Sequence, residues 1–279
     1  MSTGSANPVK WDRLEEPADG LVAYRLASWS NFFDFIETEI FGFSETSKHD
    51  YIWRGQRRAD WSLSSSLDRI FDKLGLSGAT PLEEIAAAHL ERFKYATRGR
   101  RGPNAADPES LVENEWWALG QHFGLATPLL DWTRSPFAAA YFAFEELATD
   151  ATDYRVVYGL DCLAVKRRNE PIQQGPSLDE KKERPPVLDV VDPMYDENAR
   201  LVSQGGLFTR APIGVPVDQW IAKAFEGSPS AVLLRIEIPN ADRLTCLRAL
   251  NRMNINHLSL FPDLSGASRS TNLKLELQP

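Results

Sequence analysis

The sequence predicts a single α+β domain with a mixed or antiparallel sheet at its core and flanking helices. Three observations lead there. Helical and strand-like apolar patterns are interspersed irregularly along 279 residues, with no internal repeat or heptad. Hydrophobic residues make up 43% and charged residues 25%, the composition of a globular chain with a full core. Finally, there is no GxxxxGK[ST] loop, no strand–GxGxxG–helix unit, no HExxH and no GxSxG. Phosphate-loop NTPases, zincins and α/β-hydrolases are therefore poor fits.

The elements follow in chain order. Residues 1–28 read as an N-terminal segment, polar and frayed over Met1 to Pro8. Trp29 to Phe43 places Trp29, Phe32, Phe33, Ile36, Ile40 and Phe41 at helical spacing, with Ser30 or Asn31 to cap the helix and Gly42 to end it. Tyr51-Ile52-Trp53 favours a strand, and Arg54-Gly55 follows directly. Thr80 to Arg98 is the clearest helix. Thr80, Pro81 and Glu83 make a capping box with proline at the first helical position, and Ile85, Ala88, Leu90 and Phe93 form its apolar stripe. Asp107-Pro108 opens a further helix to Gln121, with Glu115 beside two tryptophans. That carboxylate has two open readings, acid–base work with a raised pKa or a structural pairing with an arginine.

Thr127 to Thr133 reads as a short buried strand. Ser135-Pro136 then starts a helix over 136–148, because serine caps well and proline gives up an N–H that has no partner there anyway. That helix is apolar nearly all round until Glu145, so it is expected to be deeply buried. Its N-terminus is a natural place for an anion, and the alternative is a buried corner whose Asp131 only caps backbone N–H groups. Val156 to Leu163 reads as a strand. Residues 166–193, rich in charge and proline, read as a polar surface excursion. From Asn198 to Pro212, Arg200 and Gln204 share one face of a strand-like run that bends at Gly205-Gly206. A helix over Val217 to Phe225, a strand over Ala231 to Ile238 and a helix capped by Asn240 follow. A closing strand runs into the turn Phe261-Pro262-Asp263.

Composition excludes several function classes. Net charge is −8 and the pI about 5.2, against a broad nucleic-acid footprint. Cys162 and Cys246 are far apart and lack metal-ligand spacing, so neither a disulfide framework nor a metal site is expected. The lack of a long apolar stretch or a signal segment gives a cytoplasmic expectation with no membrane partner. Arg54 stands out, since an arginine at the end of a buried strand needs a partner. It either pairs internally, with Asp131 or Asp263, or grips a phosphate or carboxylate in a cleft. Gly55 lets a backbone or a ligand come close.

Four stretches together resemble one family. Trp53-Arg54-Gly55-Gln56 looks like the aromatic-Arg-Gly motif of the FRG domain, and QHFGLATPLLDWTRSPFAAAYFAF (121–144) is similar to that family's longest motif. RLVSQGGLFT (200–209) and INHLSLFPDLSGAS (255–268) resemble its remaining segments, in the family's order. Pro128 is a departure, where arginine or another residue is commoner. The resemblance assigns residues 29–279 to the FRG domain. It implies an ADP-ribosyltransferase-like layout and a bacterial antiphage or toxin–antitoxin setting, with an antitoxin or phage protein as partner.

In that layout Arg54 would hold the diphosphate of NAD, with Gly55 beside it. Thr133 and Ser135 would frame the nicotinamide, Trp132 or Tyr141 would stack on a ring, and Gln121, Arg200 and Asp263 would line the same hollow. His122 and Asp131 would serve as acid–base or positioning groups. Gln204 stands where a catalytic glutamate is expected, and a carboxamide is no base. The resemblance thus leaves open an enzyme using NAD, with nucleic acid as one possible acceptor, or a module that binds a nucleotide or a protein segment without turnover.

Overall fold

The computed structural model describes residues 9–42, 50–76, 81–101, 107–147, 152–174, 186–193 and 202–277. Among the described residues eight strands form one mixed sheet in the order β1-β2-β8-β5-β3-β4-β7-β6. They are β1 (Trp11–Ala18), β2 (Leu21–Leu26), β3 (Tyr51–Gln56), β4 (Leu129–Thr133), β5 (Tyr154–Asp161), β6 (Asp189–Val191), β7 (Gly206–Arg210) and β8 (Leu233–Pro239). Only the β2–β8 pair is parallel. With helices on both faces the chain is a single α+β domain, as its pattern predicts.

Alternation along the central strands divides the core. Trp53, Val157 and Ile236 face one cluster, which also holds α5 (Pro136–Phe144), α8 (Arg243–Arg252) and α1 (Phe32–Phe35). Ile52, Val156 and Leu233 face the opposite cluster, closed by α7 (Val217–Ala224) and α6 (Cys162–Gln173). A third cluster lies under α2 (Ser66–Lys73), α3 (Leu82–Ala96) and α4 (Glu113–His122).

Helix α5 is the central pillar. Ser135 Oγ accepts from Ala138 N at 3.2 Å, the expected cap. Ala139, Ala140 and Ala143 are wholly buried, and small residues let the helix lie directly on β3. The contact is so close that a Cβ on Gly55 would overlap Ala139 O and sit 2.6 Å from Ala143 N. The other end of the helix is capped by two arginines. Arg155, 1% exposed, donates to Ala143 O and Glu146 O, and Arg243 donates to Phe144 O and Glu145 O. Carbonyls that a helix end leaves unpaired are thereby satisfied away from water.

Five expectations need correction. Residues 11–26, inside the segment read as N-terminal and given no elements, form strands β1 and β2. Their two-residue turn is Asp19-Gly20, with φ of 51° and 77°. Asp-Gly is the favoured sequence for such a hairpin, a local signal present all along. The excursion at 166–193 carries most of α6, nucleated by Asp161 accepting from Leu163 N and Ala164 N, and the edge strand β6. The expected closing strand is instead α9 (His257–Leu260), because Asn256 Oδ1 accepts from Leu258 N and Ser259 N and starts a helix. Gln204 lies in the turn before β7, with Gly205 at φ 54°, and is not on a strand. At α3, Pro81 occupies the capping position itself, and Thr80 lies outside the described residues.

Candidate functional site

Arg54 stands where the sheet parts. Strands β3 and β4 pair at one position, Trp53↔Thr133, and beyond it Arg54 Nη1 donates to Asp131 O at 2.8 Å. The guanidinium thus occupies a carbonyl that the interrupted ladder leaves open. The Asp131 carboxylate lies 3.9 Å from the same nitrogen and its side chain is 66% exposed, a loose ion pair on the solvent side. Gln121 Nε2 donates to Asp131 Oδ1 at 2.7 Å, while Thr127 Oγ1 donates to Gln121 Oε1. The fold therefore brings Arg54, Gln121 and Asp131 together from three elements. Burial pulls the Arg54 guanidinium below its ordinary pKa, Asp131 opposes that pull and Arg69 adds to it.

Beside Arg54 opens a cleft of about 600 Å³, lined among others by Gln56, Trp61, Arg69, Phe142 and Glu145. Gln56 is 6% exposed and donates to Ser62 O at 3.3 Å. Its Oε1, and Nε of Arg54, are buried with no hydrogen-bond partner among the described residues. Buried polar atoms are rarely left so, and each unmade bond costs about 1–3 kcal/mol. Arg69 Nη1 donates to Ser64 O at 2.6 Å. Trp61 is 42% exposed, with the Arg57 guanidinium 4.9 Å from its ring centre.

The floor at Glu145 joins a buried polar chain. Tyr141 OH bonds His257 Nδ1, and His257 Nε2, buried and without a hydrogen bond among the described residues, lies 3.4 Å from Glu145 Oε2. The imidazole stacks on Phe261, ring centres 4.7 Å apart. Burial, with Glu146 adding repulsion and Arg269 opposing, raises the Glu145 carboxyl to about 7. Burial, reinforced by Arg269, lowers His257 to about 4. A carboxyl raised from 4.5 to about 7 stabilises the fold at low pH and loses that contribution as pH rises through 7. Glu145→Gln lacks this loss. Its urea midpoint relative to wild type is therefore expected to climb between pH 4.5 and 8, and a constant or falling difference would refute the shift.

Other candidate residues lie elsewhere. Trp132 is 3% exposed, donates to Thr209 Oγ1 at 2.8 Å and belongs to the core, so it offers no stacking face. Tyr141 is 1% exposed and is engaged by His257. Thr133 Oγ1 donates to Gln204 O and accepts from Ser135 N, while Gln204 Nε2 donates to Leu260 O, so all three stitch loop to strand. The cleft meets the C-terminal half of α5, at Phe142, Glu145 and Glu146, not the helix N-terminus at Ser135. Gly55 borders the cleft, but its missing side chain makes room for α5. Asp263 Oδ1 accepts from Gly266 N at 2.8 Å at the start of α10 (Leu264–Leu277). Glu115 accepts from Val112 N at 2.8 Å, a helix-start contact. His122 lies edge-on to Phe123 at 4.7 Å. Arg200 lies outside the described residues.

Gln56, Trp61, Arg69 and Glu145, which line the cleft, and His257 beside Glu145 were not among the candidates the sequence offered. The available signal was Glu145, the first of two carboxylates closing an apolar helix. Among the described residues no cluster of His, Cys, Asp and Glu could hold a metal ion, and no helix is long and apolar enough to cross a membrane.

Residues 49–152 match the family model described as FRG domain. The match includes the Arg54 motif, Gln121, Asp131 and Glu145; the similar segments at 200–209 and 255–268 lie beyond it. No curated protein and no solved structure matches the chain.

Proposed function

We propose that the Arg54 cleft binds a phosphate-bearing nucleotide, with NAD the candidate, and that the protein is an ADP-ribosyltransferase-like transferase or NAD glycohydrolase. The supporting observation is an open cleft lined by Arg54 and Gln56, whose Nε and Oε1 are buried with no hydrogen-bond partner among the described residues. A ligand presenting a phosphate oxygen to the first and a hydroxyl to the second removes both penalties. Arg69 adds a second positive charge to the cleft, and Trp61 offers the exposed ring that Trp132 and Tyr141 do not. The volume suits a nucleotide, within the roughly 300–1,000 Å³ usual for ligand pockets. The defence or toxin–antitoxin setting, with an antitoxin or phage protein as regulator, belongs to the same proposal.

Titration calorimetry with NAD, ADP-ribose and AMP tests the binding. Wild type is expected to bind at least one of them. Arg54→Lys keeps the charge but loses the planar fork, and should weaken binding about 10- to 100-fold, the equivalent of one or two charge-assisted bonds. If wild type binds none of the three, the nucleotide assignment is lost. Binding without nicotinamide release from NAD, alone or with cell extract, marks a sensor module in place of an enzyme.

A further inference from the structure

We propose that Glu145, backed by His257 and Tyr141, is the proton-accepting carboxylate of the Arg54 cleft. This rests on the nucleotide assignment and supplies the acid–base group that Gln204 does not. Glu145 lines the same cleft as Arg54, yet its side chain is only 15% exposed. Its Oε2 faces His257 Nε2, and the far ring nitrogen is held by Tyr141 OH, so three titratable groups from two helices run in series from core to cleft.

The charges around Glu145 are otherwise committed. Glu146 pairs with Arg57, and its carbonyl accepts from Arg155. Arg243 spends Nη2 on the Glu145 carbonyl and Nη1 on the Glu276 carboxylate. Arg269, on α10, favours the ionised carboxylate. Glu145 is left to exchange its proton with whatever enters the cleft. A base works best when its pKa lies near the working pH, as it does here.

The step balances without another reagent. The oxygen of a water or acceptor hydroxyl forms a bond to C1′ of the NAD ribose. The C1′–nicotinamide bond breaks, and its electron pair neutralises the ring nitrogen. The proton of the attacking O–H passes to the Glu145 carboxylate and then to solvent. His257 and Tyr141 are positioning residues that orient that carboxylate.

Calorimetry with ADP-ribose and NAD at pH 7, in buffers of different ionisation enthalpy, reads proton exchange on binding. Wild type is expected to bind with net proton exchange. Glu145→Gln should bind within about threefold of wild type without that exchange, and with nicotinamide release lowered at least about 100-fold. His257→Gln should keep binding and shift the pH profile of release. Binding by Glu145→Gln with undiminished proton exchange, or with undiminished release, overturns the assignment while leaving the nucleotide cleft standing. Should neither ligand bind wild type, the nucleotide assignment fails, and carboxyl-carbon and imidazole-nitrogen NMR decides separately. A Glu145 carboxyl that titrates near pH 7 and shifts in His257→Gln supports the positioning role, and one whose titration is unchanged in that variant removes it.

Discussion

Arg155→Met is expected to unfold the protein at ordinary temperature or to leave it at least about 3 kcal/mol less stable. The guanidinium is 1% exposed and serves three acceptors from three directions: Asn240 Oδ1 at 2.6 Å, Ala143 O at 2.5 Å and Glu146 O at 3.0 Å. Methionine fills part of the space and bonds none of them. Each buried acceptor left alone costs about 1–3 kcal/mol, against a total stability of about 5–15 kcal/mol for a domain. Burial lowers the pKa of Arg155 to about 10, helped by Arg243, so it stays charged at neutral pH. Arg155→Lys retains the charge but reaches fewer of the acceptors, and should lie between methionine and wild type. Arg25→Met is the contrast, since Arg25 is 41% exposed where it pairs with Glu237. Arg235 also holds that carboxylate, so a loss within about 1 kcal/mol is expected. Urea unfolding followed by circular dichroism ranks the four proteins. An Arg155→Met loss below 1 kcal/mol would mean that the α5 carbonyls find other partners.

The same residues show what a linear pattern carries and what it cannot. Helix α5 was legible in full at its start, because serine, proline and an alanine-rich run act locally. Its far end was not, because the groups completing it come from Arg155 and Arg243, on a strand and a helix 88 residues apart in sequence that the fold brings together at α5. Arg54 was legible as an anomaly, and its neighbours Gln121 and Asp131 were named beside it. Trp132 and Tyr141 were misplaced for a different reason. A polar handle on an aromatic ring reads alike whether it meets a ligand or a buried side chain, and here Thr209 and His257 take those handles. The β1–β2 hairpin was available to local inspection in Asp19-Gly20, but the alternation of β1, exposed at most positions, offers no apolar face to reveal it.

Gly55→Ala is expected to match or exceed the Arg155 variant in cost, because the atoms in the way cannot rotate aside. A methyl at residue 55 overlaps Ala139 O and lies 2.6 Å from Ala143 N, both on the backbone of α5. Overpacking commonly costs about 1–3 kcal/mol when side chains can yield. Here the helix itself must move, so about 3 kcal/mol or more is expected. Gly75→Ala separates this from backbone strain, since Gly75 has φ 66° and nothing within 4 Å of its added Cβ. It should lose only about 1 kcal/mol. The functional consequence follows from what α5 carries. Phe142 and Glu145 line the cleft opposite Arg54, so lifting α5 from β3 separates the guanidinium from the carboxylate. On the function proposed for the cleft, any Gly55→Ala protein that still folds should therefore lose nicotinamide release from NAD more than AMP binding, for which that proposal needs Arg54 but not Glu145. Equal stability of Gly55→Ala and wild type would refute the close approach of helix to strand. A stable variant that also released nicotinamide normally would remove the need for Glu145 to stand where α5 holds it.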